Sequence, residues 1–314
     1  MKYRRLGNSG IDVSVIGQGT WQLGNDFFGD IDEAEAIKAI HASIDCGVNL
    51  IDTAPGYGLD YESEKAVGRA LADRRDKVVL STKLGILRVF GGYVKCLDPM
   101  IMRKELEISL KNLKTDYIDI YFIHWPEYNN SLEDALEEMA EMKKEGKVRA
   151  IGVSNFTPEQ IRTAIDVADI CCVQPPLNML NRDSITSGIA PLCAKEGVGI
   201  MTYGSLGGGI LAGLAQELAV GGTELRASFY GYYAEPMLSK CKELLAYLGK
   251  IAKDHNATVA EVSINWVLAQ EGVTCALTGS ETPAMAIANA KAANWELSAE
   301  ELAGIEAEYK RIMG

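Results

Sequence analysis

The chain has 314 residues, of which 47% are hydrophobic and 24% charged, and its formal net charge is −12 at pH 7. This composition is typical of a globular protein, and the length suits either one large barrel or two average domains. The acidic charge argues against nucleic acid and anionic membranes as partners, because phosphate binding needs clustered Lys and Arg. No apolar run approaches the roughly 18 residues of a membrane helix. With only three histidines and no His-x-x-x-His pair, no metal site is expected.

The seven cysteines include no Cys-x-x-Cys pair, and Cys171 and Cys172 are adjacent. An odd number in a chain of this length indicates reduced thiols, mostly in the core, of a cytoplasmic protein. The basic residues Met1–Arg5 lead into a turn at Gly7–Gly10, where a signal peptide would need a continuous apolar stretch.

Short apolar runs rich in β-branched residues recur along the chain and are predicted to be strands. They are Val13–Gly19, Val48–Asp52, Val78–Lys83, Tyr117–His124, Val148–Asn155, Ile170–Gln174, Val198–Tyr203 and Val273–Thr278. Such continuous runs are typical of parallel strands that are buried on both faces. The turn at Asn8–Gly10 predicts a short hairpin before the first barrel strand.

Helices are predicted between these strands, and several have clear start signals. Asp98-Pro99 supplies an N-cap and a first-turn proline. Capping boxes begin at Thr157, Thr258 and Ser298, each with Glu or Gln three residues later. Gly47 and Gly146 stand where a helix would end. Eight strands alternating with helices favour a single (β/α)₈ TIM barrel over residues 1–314, although an open doubly wound sheet has the same local pattern.

Ionisable or amide side chains stand at the ends of the predicted strands. From the second strand to the seventh, they are Asp52, Lys83, His124, Asn155 with Ser154, Gln174, and Tyr203 with Ser205. In a closed barrel these ends converge on one mouth, where barrel active sites lie. Each residue alone has a structural explanation, such as a cap, a surface lysine or a core histidine, but the set together favours an active site.

Four segments resemble the signature stretches of the aldo-keto reductase family: Gly47–Gly58, Leu110–Pro126, Lys147–Phe156 and Tyr203–Leu211. They occur over the whole chain in the family's order. The resemblance implies a barrel with an N-terminal hairpin that catalyses hydride transfer between a nicotinamide cofactor and a carbonyl or alcohol. It also implies catalytic roles for Asp52, Tyr57, Lys83 and His124.

The resemblance implies a cofactor site as well. It assigns the nicotinamide amide to Ser154, Asn155 and Gln174, and ring stacking to Tyr203. The remaining cofactor positions that it implies are Thr20, Trp21, Asp52, Ser205, Leu206, Gly209, Gly279, Ser280, Glu281, Met285 and Asn289. The run Gly207–Ala212 matches G-x-G-x-x-A, a weak motif by itself, but it follows the seventh strand, where barrels often bind phosphate.

The four catalytic residue types suit this chemistry. Carbonyl reduction needs a proton as well as a hydride, and Tyr57 is the expected donor. Burial alone would raise the pKa of a phenol, and Lys83 beside it would favour the ionised form. Asp52 would keep the ammonium charged, and a neutral His124 would orient the substrate oxygen.

The segment after the eighth strand departs from NADP-binding relatives, which usually carry basic residues there. Gly279, Glu281 and Met285 stand in these positions, and no Arg or Lys follows until Lys291. The sequence therefore predicts NAD(H) in preference to NADP(H), although a basic residue from another loop, such as Arg226, could replace them.

The expected substrate contacts are Trp21, Tyr57, His124 and Trp125. The loops also carry Phe27, Phe28, Phe90 and Tyr93, as well as the polar residues Arg88, Lys95 and Glu127. The last helix is predicted to run nearly to Gly314, leaving no tail over the mouth, and polar substrates such as sugars or polyols are therefore expected.

Two other functions remain open. Lys83 could form a Schiff base, as in barrel aldolases, but this would leave Ser154, Asn155 and Gln174 unexplained. Alternatively, the chain could be a nucleotide-sensing regulatory subunit, similar to the potassium-channel β subunits that resemble this family.

Overall fold

A computed structural model describes residues 1–25, 31–89, 92–213 and 229–314. The strands in this part of the chain are β1 (Tyr3–Arg5), β2 (Asp12–Ser14), β3 (Ile16–Gly19), β4 (Leu50–Asp52), β5 (Val79–Leu84), β6 (Ile86–Val89), β7 (Gly92–Lys95), β8 (Ile118–Ile123), β9 (Val148–Ser154), β10 (Cys172–Gln174), β11 (Gly199–Thr202) and β12 (Val273–Gly279). Eight of them form a closed parallel barrel in the order β3-β4-β5-β8-β9-β10-β11-β12, which confirms the predicted fold.

Helices pack around this barrel. Those in the described ranges are α1 (Glu33–Asp45), α2 (Glu62–Ala70), α3 (Pro99–Leu113), α4 (Leu132–Lys144), α5 (Pro158–Ala168), α6 (Asp183–Thr186), α7 (Ile189–Glu196), α8 (Met237–Asp254), α9 (Val259–Leu268), α10 (Pro283–Lys291) and α11 (Ala299–Met313). Shorter 3₁₀ helices are Trp21–Gly24, Arg75–Lys77, Gly207–Ala212, Gly231–Tyr233 and Ala292–Asn294. Of the helices described, none is long and apolar enough to cross a membrane.

The predicted helix signals form as expected. Asp98 accepts hydrogen bonds from the amides of Met100 and Ile101 at the start of α3. Reciprocal capping boxes begin α5, α9 and α11 at Thr157, Thr258 and Ser298. These caps use amides that would otherwise lack partners at the helix N-termini.

The prediction of one strand over Val13–Gly19 is wrong in its extent. Residues Asp12–Ser14 pair antiparallel with β1, and a separate strand, β3, enters the barrel at Ile16. Residues 13–18 are buried on both sides of the break, so the pattern of burial alone does not reveal it. The hairpin closes the amino end of the barrel, where Leu6 is fully buried in the interior cluster with Leu50 and Ile120.

The barrel interior is tightly filled. A Cβ on Gly152 would lie 2.3 Å from Cε1 of Phe122, so only glycine leaves room for this ring. Five cysteines are buried in the fold, while Cys46 and Cys96 are partly exposed, which agrees with the expectation of mostly core thiols. The interior and its floor thus hold the strands rigidly, and the carboxyl ends carry the polar groups.

Candidate active site

The mouth of the barrel consists of the carboxyl ends of the eight barrel strands and the loops that follow them. Asp52 ends β4, Lys83 lies near the end of β5, and His124 directly follows β8. These three strands are neighbours in the barrel, and Tyr57 lies in the loop after β4. The four residues predicted to be catalytic are therefore brought together.

The Lys83 ammonium is the centre of this group. Its Nζ donates to Oδ2 of Asp52 at 2.7 Å, to the carbonyl of Thr53 at 2.9 Å and to the hydroxyl of Tyr57 at 3.1 Å. Three donors therefore meet three acceptors, and the side chain is completely buried. Such an ammonium is fixed in position and has no freedom to act elsewhere.

Asp52 is held equally firmly. Besides Lys83, it accepts hydrogen bonds at Oδ1 from the hydroxyl of Ser81 at 2.7 Å and from Nε2 of Gln174 at 2.9 Å. Both carboxylate oxygens are thus occupied, and only 2% of the residue is exposed. This geometry suits a residue that positions Lys83, and the cofactor contact of Asp52 stays a prediction.

Burial raises the pKa of the Tyr57 phenol and outweighs the opposing effect of the Lys83 charge, so the net direction is upward. Burial lowers the pKa of Lys83, but the Asp52 carboxylate and Tyr57 reverse this, and its net shift is also upward. Lys83 thus lowers the pKa of the phenol relative to burial alone, as expected, but does not bring it below its ordinary value. At neutral pH the pair is a neutral phenol beside an ammonium.

The His124 imidazole is neutral at the same pH. Burial, reinforced by the charges of Lys83 and Lys95, holds its pKa well below the usual value. Its ring meets that of Tyr57 edge to face, with 5.9 Å between centroids. Its buried Nδ1 has no hydrogen-bond partner among the described residues. A neutral imidazole can donate one hydrogen bond without repelling the Lys83 ammonium.

The predicted nicotinamide residues form a connected network beside this group. The Ser154 hydroxyl donates to the Gln174 carbonyl at 2.8 Å, and Asn155 Nδ2 donates to the His124 carbonyl at 2.9 Å. The Tyr203 hydroxyl donates to Asn155 Oδ1 at 2.7 Å. Asn155 adopts a left-handed φ of 62°, which asparagine tolerates better than most residues.

The loop after β11 contains three consecutive glycines with left-handed backbone. Gly207, Gly208 and Gly209 have φ values of 57°, 67° and 103°. A Cβ on Gly208 would lie 2.5 Å from Cε2 of Tyr230, so a side chain is excluded there. The Tyr233 hydroxyl donates to the Gly208 carbonyl at 2.9 Å and fixes the turn from its other side. Leu206, which precedes the turn, is partly exposed.

The segment after β12 carries the remaining predicted residues. Asn289 Nδ2 on α10 donates to the Gly279 carbonyl at 3.2 Å and to the Ser280 hydroxyl at 3.1 Å. Met285 is exposed and Glu281 partly exposed, and Glu281 forms no ion pair with a described residue. Arg226, the basic alternative, lies outside the described residues.

Five predicted cofactor residues are almost completely buried. Thr20, Ser154, Gln174, Ser205 and Ser280 are 0–1% exposed. The Thr20 hydroxyl lies 2.9 Å from the Asp52 carbonyl, which accepts its hydrogen bond, and 2.8 Å from the Ser63 hydroxyl. The hydroxyls of Thr20, Ser205 and Ser280 form hydrogen bonds within the fold that brace the strand ends. Trp21, by contrast, is partly exposed and lies beside Tyr57, with ring centroids 6.1 Å apart.

On the substrate side, Trp125 is partly exposed at the mouth, and Lys95 Nζ lies 4.4 Å from its ring centroid. Glu127, one of the polar residues of the mouth loops, is held by the chain itself, because its carboxylate accepts from the amides of Leu97, Asn129 and Asn130. Burial raises the pKa of Glu127, but these hydrogen bonds outweigh burial and the net shift is downward. The predicted aromatic residues Phe27, Phe28 and Phe90 lie outside the described residues.

Sequence reasoning missed several residues of the site. Ser81 was not singled out, although its period-two spacing from Lys83 puts both on the inner face of β5. The hairpin formed by β6 and β7 was also missed, although Gly91-Gly92 between two β-branched runs is a hairpin signal. Phe229, which contacts Trp21 edge to face at 5.5 Å, comes from an aromatic cluster that the sequence shows but does not position.

A closed parallel barrel with ionisable groups at its carboxyl mouth is the architecture of an enzyme, and comparison with known proteins identifies the family. The Aldo/keto reductase family model matches residues 15–310. Aldo-keto reductase YhdN of Bacillus subtilis is 35% identical over 305 residues, covering 96% of this chain and 91% of the relative. The NADH-specific methylglyoxal reductase of Escherichia coli is 33% identical, covering 95% of each chain.

The fold comparison agrees. The solved structure of the glycerol dehydrogenase AKR11B4 from Gluconobacter oxydans has a TM-score of 0.90 and 32% identity, covering 99% of this chain and 95% of that one. The chain therefore belongs to the aldo/keto reductase family, whose members are oxidoreductases that use nicotinamide cofactors.

Proposed function

We propose that this protein interconverts a carbonyl compound and an alcohol, with Tyr57 as the proton donor in reduction and the acceptor in oxidation. The observation that carries the proposal is the position of Lys83 Nζ, which donates to both Asp52 and the Tyr57 hydroxyl. A buried ammonium held by a carboxylate stabilises the phenolate that proton transfer leaves behind.

The nicotinamide, when bound, supplies a hydride to the carbonyl carbon or accepts one from the alcohol carbon. The oxygen atom then requires a proton, which passes from the Tyr57 hydroxyl in reduction and returns to Tyr57 in oxidation. Neutral His124 donates a hydrogen bond to that oxygen and orients it. Because Lys83 has a raised pKa, it stays charged throughout and does not act as the free amine that a Schiff base needs.

The residues present fit a nicotinamide dinucleotide. Asn155 and Gln174 supply amide groups beside the mouth, and Tyr203 supplies a ring. Three consecutive glycines at 207–209 hold left-handed φ values without side chains, a backbone arrangement of the kind that can bind a pyrophosphate. We assign the nicotinamide to the first group and the pyrophosphate to the turn.

The test is a panel of aldehydes and alcohols assayed at 340 nm with NAD(H) and NADP(H). We expect turnover with the wild-type protein and a fall of about 10²–10⁴-fold in Tyr57→Phe, with cofactor binding retained, because one proton-transfer group is lost. Tyr128→Phe is the matched control, since Tyr128 is 87% exposed.

Other outcomes would point to other functions. Cofactor binding without turnover on any substrate would favour a nucleotide-sensing subunit. Trapping of a substrate on Lys83 by borohydride would favour a lyase. Near wild-type turnover in Tyr57→Phe, with chemistry rate-limiting, would require another acid.

We further propose a preference for NAD(H). A 2′-phosphate brings about two negative charges, which Glu281 would repel and which Gly279 and Met285 cannot neutralise. A carboxylate can instead accept a hydrogen bond from a free ribose 2′-hydroxyl. One relative is itself named an NADH-specific reductase, which supports the same choice.

The cofactor preference is tested by dissociation constants of NADH and NADPH. NADH should bind more tightly to the wild type, and Glu281→Arg should shift the preference towards NADPH. Glu271→Arg makes the same charge change at an exposed position just before β12, at the opposite end of the barrel. Equal dissociation constants for the two cofactors in the wild-type protein would refute the preference.

For the substrate, we propose a small polar carbonyl or alcohol, in the range of sugars and polyols. The relatives named for methylglyoxal and glycerol act on compounds of this kind. A cytoplasmic location remains part of the proposal.

A further inference from the structure

The hairpin formed by β6 and β7 lies over the mouth, and one of its faces is turned towards the loop of Tyr57. Ile86 Cγ2 lies 3.3 Å from the position that a Cβ of Gly56 would take. Arg88 Nη2 donates to the Gly56 carbonyl at 2.8 Å. Because Ile86 and Arg88 are two residues apart on one strand, these contacts identify the face of the hairpin that meets the site.

Lys95 lies on this same face. It is paired with Ile86 in the antiparallel register, and directly paired residues project to the same side. Its Nζ is 4.4 Å from the centroid of the Trp125 ring, the residue that follows His124. The lysine charge also contributes to lowering the pKa of His124, after burial and Lys83. Lys95 is thus a cation at the entrance to the reacting atoms.

In the described ranges, this cation has no counter-charge. Lys95 forms no ion pair with any described residue, and the nearby Glu127 is occupied by three backbone amides. The Trp125 ring holds the ammonium by a cation–π contact but leaves its hydrogens available. In a chain with a net charge of −12, which repels anions at long range, a cation close enough to His124 to lower its pKa is a local exception.

We propose that Lys95 is a specificity-determining residue that binds an anionic group, carboxylate or phosphate, on the carbonyl substrate. This inference rests on the proposed carbonyl-reducing function and names the substrate class that the site takes. The ammonium supplies a charge-assisted hydrogen bond to the anion, while Trp125 keeps the side chain positioned. The carbonyl end of the same substrate then lies towards Tyr57 and His124.

The experiment compares substrates that differ in charge. Succinic semialdehyde and its methyl ester form the carboxylate pair, and glyceraldehyde 3-phosphate and glyceraldehyde form the phosphate pair. At pH 8, Lys95→Met should lower kcat/KM for the anionic member about tenfold, the effect of losing one charge-assisted hydrogen bond, and leave the neutral member within twofold. Lys95→Glu should lower kcat/KM for the anionic member further, and Lys95→Arg should retain most of the wild-type value.

Lys77→Met is the control, because Lys77 is exposed, forms no ion pair with a described residue and precedes β5 at the opposite end of the barrel. It should leave both kcat/KM values unchanged. A loss confined to the carboxylate pair or to the phosphate pair identifies which anion the site takes. Equal effects of Lys95→Met on charged and neutral members of both pairs would overturn the proposal.

A second measurement separates this inference from the proposed function. Calorimetric binding of 4-hydroxybutyrate, without cofactor and therefore without turnover, should weaken about tenfold in Lys95→Met. If no substrate is turned over but this binding difference remains, the proposed function fails and the anion site stands. If neutral carbonyls are reduced and Lys95→Met changes neither binding nor selectivity, the anion site alone fails.

Discussion

Two buried aspartates form ion pairs at opposite ends of the barrel. At the carboxyl end, Asp52 on β4 is bonded to Lys83, and both side chains are at most 3% exposed. At the amino end, Asp119 on β8 accepts from Arg75 at 2.8 Å and from Arg149 at 2.8 Å. The two guanidinium groups also sandwich the Tyr117 ring, at 4.1 and 4.0 Å from its centroid.

The two groups differ in where the cation's remaining donors go. Arg75 donates to the carbonyls of Val78 and Tyr117 and to the Thr115 hydroxyl, so its bonds tie neighbouring segments of chain together. Lys83 donates instead to the Tyr57 hydroxyl, a titratable group beside the mouth. A buried ion pair therefore does not by itself indicate catalysis. What distinguishes the catalytic candidate, Asp52 with Lys83, from the structural ion pair, Asp119 with Arg75, is a titratable hydroxyl beside the cation at the mouth of the barrel.

The largest effect that this comparison predicts is on turnover at the carboxyl end. Lys83→Met should lower turnover about 10²–10³-fold, because the Tyr57 phenolate loses the cation that stabilises it. Turnover is measured on protein shown to be folded by circular dichroism, with cofactor binding followed separately. Lys77→Met is the exposed control, and turnover of Lys83→Met within threefold of wild type would contradict the distinction.

At the amino end the effect should fall on stability. Asp119→Asn leaves the buried Arg75 without a counter-charge and should lower the free energy of unfolding by about 3 kcal/mol. Turnover per folded molecule should stay within twofold. Urea unfolding measures the first quantity and the cofactor assay the second, with the exposed Asp116→Asn as control. A loss of turnover without a loss of stability would mean that the amino end also serves the chemistry.

The smallest effect should come from the exposed member of the amino-end group. The Arg149 side chain is 56% exposed, against 16% for Arg75. Arg149→Met should therefore cost about 1 kcal/mol or less, because solvent screens exposed ion pairs and cation–π contacts. Urea unfolding of Arg149→Met and Asp119→Asn side by side gives the comparison. Equal losses of unfolding free energy in the two variants would show that solvent exposure does not determine how much each residue contributes to stability.

The sequence predicts the catalytic group well because parallel strands present their carboxyl ends at one mouth. Asp52, Lys83 and His124 could therefore be brought together without knowledge of the packing, and the capping boxes are equally local. The stretch Leu110–Pro126 contains both Asp119 and His124, however. Nothing in its sequence shows that Asp119 forms a structural ion pair while His124 belongs to the candidate active site. The role of each residue depends on which Lys and Arg side chains from other segments pack beside it after folding.

Other residues could not be predicted for related reasons. Glu127 stands in a mouth loop, but three amides that reach it only after folding consume its carboxylate. Thr20 follows a strand end like the catalytic residues, yet its hydroxyl turns inward to the Asp52 carbonyl. In both cases the direction of a side chain is decided by its tertiary neighbours, which a single sequence does not show.

Because most of the cysteines are buried, the number of thiols that react with a reagent can be used to follow unfolding. Burial raises the pKa of the Cys241 thiol to about 11 and that of Cys193 to about 12, so neither supplies thiolate to a reagent near neutral pH. In the native chain a water-soluble disulfide reagent meets only Cys46 and Cys96, whereas an unfolded chain offers all seven thiols. The average number of thiols titrated per chain therefore reports the fraction of chains that are unfolded.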